Sequence, residues 1–186
     1  MMDPMNGIVI DALQFAAEKH RNQRRKDAQQ SPYVNHLILV THLLWNEGGV
    51  RDPEVLAGGI LHDTIEDTET TSEELTARFG ERVTKMVLEV TDDKSLPKAE
   101  RKLRQVKKAG SISHEAKQIK LADKCANLTD LRDHPPHDWP AERLLGYVDW
   151  AERVVQATGL SDHGLNLHFN QLADSLRTNL GQVELG

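Results

Sequence analysis

Apolar residues recur every three or four positions along almost the whole sequence, which is the spacing of one face of an α-helix. One predicted helix stops at Gly48-Gly49, and another starts at Asp52-Pro53, because Asp favours the N-cap and Pro is tolerated in the first turn. The sequence "TSEEL" at residues 71–75 predicts a further cap followed by an acidic first turn. No segment shows the alternation of a half-buried strand, so the chain is predicted to be all-α.

The apolar pattern also predicts where the helices lie and which loops separate them. Helical faces are predicted around Val9–Ala17, Val34–Trp45, Val55 to about Asp63, Phe79–Val90, Lys117–Leu131, 139–157 and 165–181. The loops near 22–32, 91–97 and 132–139 are candidates for the mouth of a site, because functional side chains often lie on loops held by a rigid scaffold.

Length and composition restrict the type of protein. The 186 residues fit one domain, 1–186, with 38% hydrophobic and 28% charged residues. A net charge of −6 argues against a general nucleic-acid surface. Cys125 is the single cysteine, so no intrachain disulfide is expected, and a reducing cytoplasm is the simplest location. No signal peptide or membrane-spanning run is expected, and homo-oligomerisation is left open.

The sequence "GGILHDTIEDTETT" at residues 58–71 places one imidazole and three carboxylates directly after an apolar run. If residues 59–67 are helical, His62 and Glu66 are four residues apart, as are Asp63 and Asp67. One pair could hold a metal ion while the other handles a bound water. A divalent cation would offset the carboxylate repulsion and lower the pKa of that water from about 15.7 toward ~7–9. A solvated acidic helix start is the alternative, and this stretch alone leaves the two interpretations nearly even.

Further metal ligands must come from elsewhere, because two adjacent side chains cannot close a coordination shell. His36 begins an apolar helix, but five other histidines compete with it: His20, His42, His114, His163 and His168. Asp123 interrupts the apolar stretch "IKLADKCANLTDL", where a buried carboxylate is costly unless it is paired or bound to a metal. A salt bridge to Lys120 or Lys124 is the competing explanation, but neither is expected to face the same way on a helix.

Taken together, these stretches resemble the HD-domain phosphohydrolases, and more narrowly the small alarmone hydrolases and the hydrolase domain of Rel/SpoT enzymes. The similar segments are "HRNQRRKDAQQSPYVNHL", "LHDTIEDT", "TDDKSLPKAERK", "KLADKCANLTDL" and "RLLGYVDWAERVV". The resemblance implies an HD-domain helical bundle and a manganese-dependent hydrolase of the stringent response. Such an enzyme removes the 3′-pyrophosphate from guanosine 3′,5′-bis(diphosphate), or ppGpp, and related alarmones. No synthetase domain fits in 186 residues, so a stand-alone hydrolase is expected.

The resemblance also assigns roles by position. It implies that four side chains hold one manganese ion per site: His36, His62, Asp63 and Asp123. It makes Glu66 and Asp67 the pair that orients and deprotonates the attacking water. It implies substrate contacts at seven positions: Arg25, Lys26, Tyr33, Lys98, Asn127, Arg143 and Tyr147. From the residues alone, Tyr33 could equally belong to the core, and Asn127 could support a metal ligand. Arg21 and Arg24 are expected to be solvated.

Some residues depart from the family pattern. Leu37 stands where proline often follows the first metal histidine. Cys125-Ala126 and Thr129 replace bulkier or polar residues and are expected near the base pocket, which puts base preference in doubt. Because Cys125 lies at helical spacing with other apolar residues, it is predicted to be a small core residue and not a nucleophile.

Other functions remain open at this point. The same chemistry could act on ppApp, or remove a phosphate from another nucleotide such as NADPH, because the metal chemistry is common to all. An inactive alarmone-binding module is expected to have lost a ligand or the acid–base pair. This chain keeps all six of those residues.

Overall fold

The computed structural model describes residues 4–183, and its regular structure is helical apart from one isolated bridge between Arg24 and Pro32. Within these residues nine helices follow one another: α1 (Pro4–Lys19), α2 (Val34–Asn46), α3 (Pro53–Leu61), α4 (Thr64–Asp67), α5 (Ser72–Val90), α6 (Lys98–Ala109), α7 (His114–Asp133), α8 (Ala141–Thr158) and α9 (Gly164–Val183). The predicted all-α fold class is confirmed.

Side-chain caps start two helices at the predicted positions. Asp52 accepts a hydrogen bond from the backbone N–H of Glu54, and Pro53 occupies the first turn of α3. Thr71 caps α5 by accepting the backbone N–H of Glu74. Each cap satisfies a donor that the helix itself leaves unpaired.

The structure differs from the sequence analysis at two helices. The proposed helix through residues 59–67 is interrupted, because α3 ends at Leu61 and α4 begins at Thr64. The N–H of Asp67 still donates to the carbonyl of Asp63 at 2.9 Å, so the spacing of that pair is retained. Helix α6 was not predicted at all: it buries Ala109 alone, Leu103 is 61% exposed, and its few apolar residues stand among many charged ones.

Helix α7 lies at the centre of the bundle, where it packs against α2, α3, α5, α8 and α9. Half of its residues are buried, including Ile119, Leu121 and Leu128. The central position of α7 brings Asp123 to the interior, beside the ends of α2 and α3. Of the helices within residues 4–183, none combines the length and the apolar character needed to cross a membrane.

Candidate active site

The four predicted metal ligands converge from three separate segments of the chain. His36 comes from α2, His62 and Asp63 from the break between α3 and α4, and Asp123 from the middle of α7. His62 Nε2 lies 3.0 Å from Asp63 Oδ2, and His36 Nε2 lies 3.3 Å from Asp123 Oδ1. The two remaining imidazole–carboxylate distances are 3.7 and 3.8 Å. The ligand atoms of His36, His62 and Asp123 all lie within 4.8 Å of one another, and Asp63 joins this group through its contact with His62.

Three of the four imidazole nitrogens of this cluster are buried but unsatisfied. Within the described residues, both ring nitrogens of His36 and Nε2 of His62 lack a partner in hydrogen-bond geometry. His62 Nδ1 lies 2.8 Å from the carbonyl of Gly59, which can only accept, so Nδ1 carries a proton and Nε2 faces the carboxylates. Buried polar atoms without partners are costly, and this mixed nitrogen and oxygen donor set fits a divalent cation. The cluster suggests a divalent metal-binding site.

Burial and charge act in opposite directions on the two histidines. Burial lowers the pKa of His36, and the nearby carboxylate of Asp123 does not fully offset this effect. Burial also disfavours the charged form of His62, but the carboxylates of Asp63 and Asp123 outweigh it and raise the pKa of His62 to about 10. A cation would have to displace that proton, so metal binding is expected to release protons.

Glu66 and Asp67 lie next to the metal cluster on α4. Both line a cavity of about 160 Å³ that also includes His62, Asp63 and Asp123. Glu66 Oε2 accepts the backbone N–H of Asp92 at 2.9 Å. Burial, reinforced by the neighbouring carboxylates, raises the pKa of Glu66 to about 7 despite that hydrogen bond. A carboxyl group with such a pKa can give or take a proton near neutral pH.

Asp67 is held through both of its carboxylate oxygens. Oδ2 accepts a hydrogen bond from Gln23 Nε2 at 2.7 Å, while the ammonium group of Lys94 pairs with Oδ1. Asp67 also lines a larger cavity outside the metal cluster, so it lies between the two spaces.

The seven predicted substrate contacts lie around two cavities at the mouth of the site. The larger one, of about 460 Å³, is lined by Arg25, Lys26, Tyr33, Asn127 and Tyr147, among others. The second, of about 290 Å³, is lined by Lys26, Lys98, Arg143 and Tyr147, together with Arg101 and Lys102. The predicted mouth loops supply much of this lining, and the two cavities share Lys26, Trp139 and Tyr147.

Tyr33 and Asn127 hydrogen-bond directly to metal-ligand candidates. The hydroxyl of Tyr33 donates to Asp63 Oδ2 at 2.6 Å, and Asn127 Nδ2 donates to Asp123 Oδ1 at 2.7 Å. Arg25 Nη2 in turn donates to Asn127 Oδ1 at 2.9 Å. The interpretation of Asn127 as a partner of a metal ligand therefore agrees with its contacts, and both residues also reach the larger cavity.

Arg25 is paired with Asp130, whose carboxylate lies 2.5 Å from Arg25 Nη2. This ion pair was not predicted from the sequence. The expectation that Arg21 is solvated agrees with its exposed pair to Glu18. Arg24 is also exposed, but it lines the larger cavity.

Of the two lysines considered as partners of Asp123, the expectation for Lys124 was wrong and the expectation for Lys120 agrees with the structure. Lys124 was expected to face away from Asp123, yet its ammonium group lies 2.9 Å from Asp123 Oδ2. The lysine stem is long enough to fold back toward an adjacent residue, and its charge also lies 4.6 Å from the ring centroid of Trp150. Lys120 Nζ donates to the carbonyl of Val90 at 2.8 Å. The sequence did contain a signal for these contacts: two lysines lie four residues apart in an apolar helix, and lysine is rarely buried without a partner.

The expectation that Cys125 and Ala126 lie near the base pocket was wrong. Both are fully buried, and Cys125 Sγ lies 3.4 Å from the carbonyl of Leu165 on α9. Thr129 is half-buried and donates to the carbonyl of Cys125 at 3.0 Å. Burial raises the pKa of the Cys125 thiol, so the prediction of an inert core cysteine is confirmed.

Known proteins are similar to this chain in both sequence and fold. A family model described as HD domain matches residues 12–145. The chain belongs to the HD-domain family. This HD-domain chain is 52% identical over 149 residues to the guanosine-3′,5′-bis(diphosphate) 3′-pyrophosphohydrolase MESH1 of Danio rerio, covering 80% of the chain and 83% of the relative. The Homo sapiens MESH1 is 49% identical over 148 residues, with the same two coverages.

A solved structure is similar to this HD-domain chain over most of its length. It is described as a metazoan ortholog of SpoT that hydrolyses ppGpp and plays a role in starvation responses. The TM-score is 0.85 at 45% identity, and the match covers 89% of this chain and 93% of the other. The predicted resemblance to the alarmone-hydrolase branch of the HD-domain family is therefore confirmed.

Proposed function

We propose that the chain, as a single HD-type domain of residues 1–186, is a cytoplasmic, manganese-dependent hydrolase of ppGpp and related alarmones. It removes the 3′-pyrophosphate and leaves GDP or GTP. The observation that carries this proposal is the meeting of three features: a buried His/Asp cluster, a carboxylate pair and a cationic mouth lie in adjoining cavities. The names of the MESH1 relatives support the choice of substrate.

His36, His62, Asp63 and Asp123 would hold the metal ion. Imidazole and carboxylate donors without a thiolate suit manganese better than a soft metal. Held there, a divalent cation supplies Lewis acidity, because it lowers the pKa of a coordinated water and offsets negative charge on the phosphate. Tyr33 and Asn127 orient two of these ligands through the hydrogen bonds to Asp63 and Asp123.

Glu66 and Asp67 manage the proton of the attacking water. The water attacks the phosphorus atom attached to the 3′ oxygen, and the bond between that phosphorus and the 3′ oxygen breaks. Glu66, with a pKa of about 7, is suited to accept the proton lost by the water at neutral pH. Asp67, fixed by Gln23 and Lys94, orients the water, and the departing 3′ oxygen takes up a proton.

The cationic mouth binds the phosphate groups. Lys26, Lys98 and Arg143 lie around one cavity, and this local positive charge contrasts with the net charge of −6 of the whole chain. Arg25 is available to phosphate once it exchanges Asp130 for the ligand. Tyr147, shared by both mouth cavities, is placed to contact the nucleoside.

A product assay tests the proposal. Purified protein with manganese is incubated separately with ppGpp, pppGpp, ppApp and NADPH, and the products are separated by chromatography. We expect GDP from ppGpp, GTP from pppGpp and pyrophosphate from both. Phosphate release from NADPH without pyrophosphate release from either guanosine substrate would overturn the assignment.

A further inference from the structure

His20 and Gln23 form a hydrogen-bonded chain that ends on Asp67. His20 follows α1, is 2% exposed, and its Nδ1 lies 2.5 Å from Gln23 Oε1. The other end of the Gln23 amide, Nε2, donates to Asp67 Oδ2 at 2.7 Å. Neither the metal cluster nor the phosphate contacts assign a role to His20.

The chemistry of the three groups fixes the direction of this chain. An ionised carboxylate only accepts hydrogen bonds, so Gln23 must turn its NH₂ group toward Asp67. Its carbonyl oxygen then faces His20, which must donate from Nδ1. His20 is thereby held as the tautomer with a proton on Nδ1, and each bond orients the next.

The segment that carries this chain is itself well anchored. The backbone N–H of Gln23 donates to the carbonyl of His20 at 2.9 Å, and its carbonyl accepts the N–H of Tyr33 at 3.1 Å. The His20 ring also stacks on Tyr33, with the ring centroids 5.1 Å apart. The amide of Gln23 therefore reaches Asp67 from a fixed base.

Gln23 is the stronger of the two constraints on Asp67. The Lys94 side chain is 49% exposed, and exposed ion pairs contribute little because water screens the charge and a long side chain loses entropy. The hydrogen bond from Gln23 to Asp67 is partly buried, and only the NH₂ group of the Gln23 amide can donate it. Loss of Gln23 should therefore free the carboxylate more than loss of Lys94.

We propose that Gln23 is a positioning residue for Asp67, and that His20 fixes the orientation of the Gln23 amide. The inference rests on the proposed function, because it assigns Asp67 to the attacking water. Gln23 holds that carboxylate in its working orientation, and the effect of Gln23 on catalysis passes through Asp67.

The test compares Gln23→Leu with the wild type and with Asp67→Asn, using ppGpp and manganese. We expect Gln23→Leu to lower kcat about 10- to 100-fold, a barrier change of about 1.4–2.8 kcal/mol, with KM and bound manganese unchanged. If Gln23 acts through Asp67, adding Gln23→Leu to Asp67→Asn should lower kcat less than about threefold further. Gln14→Leu, at an exposed position on α1, is the matched control and should retain wild-type kcat.

A second set of variants keeps the test decisive if Gln23→Leu folds poorly. Gln23→Glu has the same shape but turns a carboxylate toward Asp67, so it should lower kcat at least as much. His20→Asn can place an amide donor near the position of Nδ1, whereas His20→Leu cannot, so His20→Asn should keep more activity. Thermal unfolding and elemental analysis accompany each variant.

The outcomes separate this inference from the proposed function. No pyrophosphate from the wild type would refute the function itself. If the wild type is active, either of two results would overturn the positioning role alone. In the first, Gln23→Leu leaves kcat unchanged. In the second, Gln23→Leu lowers kcat by the same factor in the Asp67→Asn variant as in the wild type. Loss of manganese in Gln23→Leu would do the same, because it would show that Gln23 supports the metal cluster.

Discussion

Glu66→Gln tests the acid–base assignment most directly. Glutamine keeps the length of the side chain and an oxygen that can accept the N–H of Asp92, which lies 2.9 Å from Glu66 Oε2. The substitution removes the charge and the proton-accepting function. The variant is therefore expected to fold and to retain manganese, while losing the step that needs a base.

The expected loss follows from the role and from the pKa. A positioned general base contributes about 10²–10⁴-fold, so kcat should fall by that factor, about 3–5 kcal/mol of barrier. Burial and neighbouring carboxylates raise the pKa of Glu66 to about 7, and only the ionised form can accept a proton. The wild-type rate should therefore fall as the pH drops through this pKa. A bound cation favours the charged carboxylate, so the acidic limb of kcat should lie at or below about pH 7.

The measurement is kcat from about pH 5 to about pH 9 for wild type and variant, with bound manganese determined in parallel. Glu69→Gln is the matched control, because Glu69 is exposed just beyond α4, and its kcat should equal that of the wild type. Near-normal kcat in Glu66→Gln would refute the role of Glu66 as the base. A wild-type acidic limb well above pH 7 would contradict the electrostatic reasoning.

Four further predictions concern the metal, the substrate and the fold. His62→Ala should lose bound manganese and activity together, as measured by elemental analysis and by the product assay. His137→Ala is the control: His137 and Asp138 form a second His-Asp dipeptide, which is exposed, and this variant should keep both. Arg25→Ala should retain manganese and raise KM more than it lowers kcat in steady-state kinetics, because its contact is expected to be similar in ground and transition states. Gly146→Ala should stabilise α8 by about 0.5–1 kcal/mol in urea unfolding, since the added methyl meets no described atom within 4 Å. Gly164→Ala should destabilise by roughly 1–3 kcal/mol, because its Cβ would clash with the backbone carbonyl oxygen of Glu47 at the end of α2.

Helices that bury an apolar face were predictable from the sequence, and the one that does not was missed. Helix α7 buries half of its residues, so its apolar spacing was visible, although it begins at His114 and not at Lys117. Helix α6 buries Ala109 alone; Leu103, Val106 and Ala109 recur at helical spacing, but charged residues outnumber them, and the segment was overlooked. A helix that lies mostly at the surface has few apolar residues, so its periodicity is easily overlooked among charged residues.

Contacts between distant residues could not be derived from local spacing. Gln23 and Asp67 are 44 positions apart, and Arg25 and Asn127 are 102 apart, so tertiary packing alone brings them together. The contact between the adjacent residues Asp123 and Lys124 was missed for another reason. Helical geometry fixes the direction of each Cβ, but the long, flexible side chain of lysine can fold back toward its neighbour. The resemblance to a family named the ligand candidates that spacing alone left open.

The break between α3 and α4 explains how the crowded carboxylates can serve two roles in one small volume. On a continuous helix, adjacent side chains point about 100° apart, so His62 and Asp63 would not readily face one centre. Asp63 has φ −101° and ψ −1°, which depart from the usual values inside an α-helix, and the two side chains approach to 3.0 Å. The chain re-enters a helix at once, and the bond from the Asp67 N–H to the Asp63 carbonyl keeps α4 in register. Glu66 and Asp67 are thereby carried into the same cavity as the metal-ligand candidates without joining their cluster. The spacing of four residues from His62 to Glu66 and from Asp63 to Asp67 brings the carboxylate pair beside the metal-ligand candidates, and the interruption between α3 and α4 leaves that spacing in place.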